Sequence, residues 1–131
     1  MKRGNPANLN VLIVDDSLLI GARVKDLLSD TAGISVIGPA RSANEAMLFI
    51  EQHTTDVILL DICMPGESGV DFLKRIKLSY PPITVIMLSN FCDDHYRKIC
   101  KEYGADHFFD KSTEVDKVPE VLKDLLKSRM N

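Results

Sequence analysis

The chain has 131 residues, 45% of them apolar and 27% charged, which describes one ordinary domain able to bury about two thirds of its unfolded surface, with no room for a second. A formal net charge of −3 and a pI near 5.6 speak against direct nucleic-acid binding, no apolar stretch approaches the roughly 20 residues of a membrane span, and the opening M-K-R-G-N-P-A-N lacks the apolar run of a signal peptide. A cytoplasmic protein is expected. Cys63, Cys92 and Cys100 are odd in number and show no C-x-x-C spacing, so neither a disulfide framework nor a zinc site is indicated, and all are read as reduced, mostly buried thiols.

Residues 1–9 read as a polar lead-in, 10–128 as the folded domain and 129–131 as a short tail. Val11 to Val14 is a first apolar run ending directly in Asp15 and Asp16. Ser17 offers a helix cap, with Leu18, Ala22, Val24, Leu27 and Leu28 at roughly helical spacing and Gly33 as a stop. Ile34 to Gly38 is a second strand. Ser42 caps a helix carrying Ala43, Ala46, Met47 and Ile50. Val57 to Leu60 is a continuous apolar run with no polar alternation, which suits a strand buried on both faces, and it ends in Asp61 ahead of a Pro65-Gly66 turn. Gly69 to about Lys77 places Val70, Phe72, Leu73 and Ile76 on a third helix, closed by Tyr80-Pro81-Pro82. Ile83 to Leu88 is a fourth strand ending in Ser89, a helix runs from about Asp93 to Tyr103, and Ala105 to Asp110 is a fifth strand ending in Lys111. Pro119 is tolerated only in a first turn, so the last helix begins near Asp116 and buries Val118, Val121, Leu122 and Leu125.

This alternation implies an α/β fold with a parallel sheet, right-handed crossovers and helices on both faces. Every strand then ends on one rim, where open α/β sheets bind their ligands, and Asp15, Asp16, Asp61, Ser89 and Lys111 gather there from distant parts of the chain. Clustered carboxylates repel unless a cation neutralises them, and hard oxygen donors with room for water suit Mg2+ rather than zinc. Asp61 in that cluster is a candidate nucleophile toward phosphorus, with Ser89 and Lys111 as donors to the remaining phosphoryl oxygens. Taken singly each residue also has a plainer reading: caps and solvated turns for the acids, a strand terminator for Ser89, a surface lysine for Lys111.

The segments V-L-I-V-D-D-S, L-L-D-I-C-M-P-G-E-S-G, M-L-S and F-F-D-K together make the chain, from about Asn10 to Leu126, resemble the receiver domain of two-component response regulators, of stand-alone type. The resemblance implies a doubly wound, flavodoxin-like five-stranded parallel sheet of order 2-1-3-4-5 flanked by five helices. It implies that Asp61 is the phosphoacceptor for a histidine kinase or phosphotransfer protein. Asp15, Asp16 and Asp61 would hold Mg2+ with the backbone carbonyl of Cys63, and Ser89 and Lys111 would read the phosphoryl group. Ser89 and the aromatic Phe108 would act as switch residues that remodel a partner-binding face made by the fourth helix, fifth strand and fifth helix. The chain itself is then a signalling protein and not an enzyme with an external substrate. Phe108 reads equally as a core phenylalanine.

Asn90 stands where the family usually has a small residue, Ser112 replaces the usual proline after the lysine, and Phe108 lacks a tyrosine hydroxyl. Cys63 and Phe91 are poor at orienting water, which points to slow loss of phosphate. Arg97, Lys98 and Lys101 read either as a docking surface or as a solvated helical face. The downstream partner is not readable, and homodimerisation on phosphorylation is left open. Two alternatives remain: a phosphorylation-independent protein-interaction module of the same fold, and a Mg2+-dependent phosphatase, for which Cys63 is a poor general acid two residues past Asp61.

Overall fold

The computed structural model describes residues 8–91 and 93–130; residues 1–7 of the expected lead-in, Cys92 and Asn131 lie outside them. Within that span, β1 (Leu9–Val14), α1 (Leu18–Ser29), β2 (Ile34–Val36), α2 (Ala43–Gln52), β3 (Val57–Leu60), α3 (Gly69–Ser79), β4 (Thr84–Ser89), α4 (Asp94–Glu102), β5 (His107–Asp110) and α5 (Val118–Met130) alternate, with a 3-10 turn at Val115–Lys117 leading into α5. The strands form one sheet of order β2-β1-β3-β4-β5, and every pairing is parallel. The parallel α/β sheet is the one expected from the strand and helix pattern, and its order is the doubly wound, flavodoxin-like one that the family resemblance implies. Among the described residues no helix is long and apolar enough to cross a membrane.

Alternation along the strands divides the core in two. Val57 and Leu59 point to one side, where they meet Val24 and Leu28 of α1 and Leu122 and Leu126 of α5. Ile58 and Leu60 point to the other, against Ala46 and Ile50 of α2, Phe72, Leu73 and Ile76 of α3, and Cys100 of α4. Because both faces are covered, the central strand has no reason to alternate apolar and polar residues, and it does not. Four helices start with the same device, a side-chain oxygen accepting an N–H of the first turn: Ser17 from Ile20, Ser42 from Glu45, Ser68 from Asp71 and Asp93 from Tyr96.

Several local expectations move. On α1 the buried stripe is Gly21, Val24 and Leu28, spaced three and four apart on one face, while Ala22 is exposed and Leu18 is 61% exposed. The helix stops at Asp30, and Gly33, with φ of 84°, instead makes the turn into β2. On α5 the buried positions are Val118, Leu122 and Leu126, while Val121 and Leu125 are half-buried flanks, and the helix continues through Met130. Cys100 is buried as expected, but Cys63 is exposed: past the end of β3, Ile62 and Met64 turn inward and leave the residue between them outside.

Gly69 ties the start of α3 to the end of β3. Its N–H donates to Ile62 O at 2.8 Å, and a Cβ added there would lie 1.9 Å from the carbonyl oxygen of Asp61. Gly69→Ala therefore forces the α3 start away from the Asp61 loop. We expect a loss of more than about 2 kcal/mol, read as a lower urea midpoint, typical of overpacking against backbone.

Candidate functional site

The sheet ladder assembles the site. Val14 is in register with Leu60, and the Asp61 N–H donates to Val14 O at 3.0 Å, so Asp15 and Asp61 emerge side by side at the ends of adjacent strands. Asp15 is held further by its N–H to Ala40 O and by the Ser17 N–H, which donates to Asp15 Oδ1 at 2.9 Å as the chain turns into α1. Asp16 is exposed beside them, and carboxylate oxygens of Asp15, Asp16 and Asp61 fall within 4.8 Å of one another. From the far side, the Lys111 N–H donates to Ser89 O at 3.0 Å, which places the lysine at the same rim. Its Nζ then reaches Asp15 Oδ2 at 2.7 Å and Asp61 Oδ2 at 3.2 Å.

Asp15, Asp61, Ser89 and Lys111 are 4, 6, 0 and 6% exposed, and among the described residues they are the polar side chains that the core buries. Burial is affordable because each has a partner. Burial also pushes the Asp61 carboxyl above its ordinary value; the Lys111 charge draws it back, Asp15 pushes it up again, and hydrogen bonds from Lys111 and Ser89 favour the ionised form, with the net shift upward. For Lys111, burial works against the charge, but the hydrogen bond and charge of Asp15 and then those of Asp61 outweigh it and hold the ammonium above its ordinary pKa. One cation thus faces three acids. The converging hard oxygens, two of them on buried side chains and carrying negative charge in excess, fit a divalent cation with a water-completed shell and offer no soft donor for zinc.

The segment carrying Lys111 is pinned on both sides. Asp110 Oδ1 accepts from the Ser112 N–H at 2.8 Å and the Ser112 hydroxyl at 2.6 Å, Glu114 Oε1 accepts from the Asp110 N–H at 3.0 Å, and the Glu114 N–H donates to Asp110 O at 2.8 Å. A proline at 112 could not make the first of these bonds, and no described peptide bond is cis.

Other positions singled out in the sequence divide. Cys63 sits in the exposed loop two residues after Asp61. Phe91 is exposed, with its N–H donating to Ser89 Oγ at 3.2 Å and its ring edge-on to Tyr96. Phe108 is half-buried at the margin of the core; the Arg97 guanidinium covers its ring at 4.8 Å and donates to its carbonyl at 3.2 Å. Arg97 is consequently folded inward, while Lys98 and Lys101 are exposed. The bracing roles of Arg97, Asp110 and Glu114 had no sequence signal beyond the spacing of Asp110 and Glu114, four apart across a turn.

The raised Asp61 pKa fixes a sign. The native state holds this proton more tightly than the unfolded chain, so folding stability falls as pH rises from 3.8 through the elevated native value. Asp61→Asn removes that loss. We expect the variant, free of divalent cations, to melt a few degrees above the parent at pH 7, the gap closing as pH falls toward about 4; scanning calorimetry across that range checks it.

Comparison with known proteins agrees with this geometry. Residues 11–123 match the family model of the response regulator receiver domain. The chain is 29% identical over 115 residues to the response regulator UvrY of Escherichia coli K12 and 33% identical over 116 residues to the transcriptional regulatory protein MalR of Bacillus subtilis. Each alignment covers 88% of this chain but only 53% and 49% of those proteins, so the chain spans about half the length of the curated relatives it matches. A response regulator from Thermotoga maritima superposes with a TM-score of 0.81 at 26% identity, covering 92% of this chain and 98% of that one. The RcsB response regulator of Salmonella typhimurium gives 0.86 over 93% of this chain and 61% of that one, at 21% identity, a likeness of fold. With the acidic rim formed by Asp15, Asp16 and Asp61, the lysine among them and the family model spanning most of its length, this chain belongs to the response regulator receiver domain family and is built for phosphoaspartate signalling.

Proposed function

We propose that Asp61 accepts a phosphoryl group from a phosphohistidine on a histidine kinase or phosphotransfer protein. Receiver domains interact with histidine kinases. The observation that carries the reading is the Lys111 ammonium lying 2.7 and 3.2 Å from Asp15 and Asp61 at a rim where three carboxylates converge. An Asp61 oxygen attacks phosphorus in line, a P–O bond forms, the donor's P–N bond breaks, and the imidazole leaves with the electron pair and takes a proton. Asp15, Asp16 and Asp61, with the carbonyl of Cys63, would hold Mg2+, which would supply a charge that screens the repulsion between carboxylate and phosphoryl oxygens. Lys111 and Ser89 then each donate to a phosphoryl oxygen, exchanging their bonds to Asp61 for bonds to the new group.

Those two donors make phosphorylation a switch, since a modification shifts an equilibrium only through contacts that differ between states. Ser89 on β4 and Phe108 on β5 are the switch residues in this reading, and α4, β5 and α5 present the surface that a downstream partner, or a second copy of the chain, would read. The unpaired Cys63 and Cys100 thiols fit a reducing cytoplasmic setting.

Intact-protein mass after incubation with acetyl phosphate and Mg2+ tests the chemistry. One phosphoryl group is expected, absent from Asp61→Asn and from a metal-free control; no addition in any sample would favour a phosphorylation-independent interaction module. Because Cys63, two residues after the acceptor, and Phe91, whose N–H donates to Ser89 Oγ, both lack a side chain suited to orienting water, the phosphoryl group should survive on purified protein well beyond seconds. Phosphate release after removal of the donor measures it, and complete loss within seconds contradicts the reading.

A further inference from the structure

Arg97 connects three parts of the molecule. From α4 its guanidinium covers the Phe108 ring on β5 at 4.8 Å and donates to the Phe108 carbonyl at 3.2 Å. It also donates to Glu114 Oε1 at 3.4 Å, and Glu114 in turn holds the Asp110 N–H at 3.0 Å and Lys117 Nζ at 2.8 Å. Asp110 immediately precedes Lys111. The arginine is thereby joined, through two hydrogen-bonded residues, to the segment that presents the buried ammonium.

A second route reaches the same helix from Ser89. The Phe91 N–H donates to Ser89 Oγ, the Phe91 ring packs edge-on against Tyr96 of α4 at 5.8 Å, and Tyr96 is the residue before Arg97. Ser89 and Lys111 are the two groups that must turn toward a phosphoryl group on Asp61. Each belongs to a segment tied to α4, and the ties meet at positions 96 and 97. The helix can respond: Cys100 is its one fully buried residue among those described, so few apolar contacts oppose a small displacement. Arg97 and Phe108 also line a surface cavity of about 290 Å³ with Lys101, Ala105, Asp106 and His107, so release of the arginine would alter an exposed face.

We propose that Arg97 is a latch that holds α4 against Phe108 and Glu114 in the unphosphorylated protein, and that re-aiming of Ser89 and Lys111 toward a phosphoryl group on Asp61 loosens it. The inference rests on the reading of Asp61 as phosphoacceptor. By linkage, a contact made better in the unphosphorylated state resists phosphorylation, and cutting it favours the other state. A guanidinium over an aromatic ring with hydrogen bonds at the margin of a protein supports a shift of about fivefold.

The experiment compares the parent, Arg97→Ala and the isosteric Glu114→Gln with Mg2+ alone and with Mg2+ plus acetyl phosphate. It reads the phosphorylation rate by intact mass and the stability of each form by urea midpoint. The latch predicts about fivefold faster phosphorylation of Arg97→Ala, a change in the same direction for Glu114→Gln, and a midpoint lowered more in the unphosphorylated form than in the phosphorylated one. Equal loss of stability in both forms with a parental phosphorylation rate would make Arg97 a structural brace and overturn the proposal. Should Arg97→Ala fail to fold, Glu114→Gln decides by the same two readouts. A parent that takes up no phosphoryl group removes the reading of Asp61 and the latch with it, whereas a phosphorylated parent with unaltered variants removes the latch alone.

Discussion

A buried ammonium between two buried carboxylates is the contact on which the rim depends. Each charge alone would cost several kcal/mol to remove from water, and the attraction among them offsets this only when geometry is close and the remaining polar atoms are satisfied. Lys111 meets both terms, at 2.7 Å from Asp15 and 3.2 Å from Asp61, and among the described residues no buried side-chain polar atom lacks a partner. The balance is deliberately incomplete in one respect: Asp16 adds a third acid, and the Asp61 carboxyl sits above its ordinary pKa. Three acids around one ammonium leave the rim with an excess of carboxylate oxygens that could hold a metal ion.

The sheet makes that arrangement rigid where it must be. Parallel ladders carry Asp61 beside Val14, and Lys111 beside Ser89, through main-chain bonds that no side-chain substitution removes directly. Two apolar layers cover the sheet, and Gly69 seats α3 directly on the Asp61 loop. Movement is left to the margin. α4 buries Cys100 alone among its described residues, and its connection to the β5 end runs through polar and aromatic contacts of Arg97, Phe108 and Glu114, which can exchange partners at lower cost than a packed core can reform. The firmly seated Asp61 at the end of β3 and the polar contacts of Phe108 on β5 are separated in the sheet by β4 alone.

The departures from the family pattern acquire physical content in this setting. Ser112 gives its N–H and hydroxyl to Asp110, so the turn after Lys111 is locked by a side-chain carboxylate with a trans backbone. Asn90 is exposed and directed away from the core, and Phe91 beside it packs on Tyr96, which makes this loop a link between Ser89 and α4.

The order of elements, the parallel sheet, the two-sided burial of β3 and the rim position of Asp15, Asp16, Asp61, Ser89 and Lys111 were legible in the sequence. Unbroken apolar runs, serine caps and strand-terminal polar residues are local patterns, and a parallel α/β topology converts them into one edge without further information. What the residues by themselves left open is where partially apolar or charged side chains end up. Leu18 and Ala22 fit a helical stripe yet face solvent, Cys63 is exposed and Leu126 takes a buried place expected of Leu125, since burial at the edge of an element depends on what reaches that edge from elsewhere in the chain. Arg97 shows the same limit most clearly: along α4 it is one of several basic residues, and only packing against β5 and the segment after it turns that one, and not Lys98 or Lys101, onto Phe108 and Glu114. Sequence spacing determines the periodicity of a face, while the partner that a long, charged side chain meets is a long-range contact that exists only after the chain has folded.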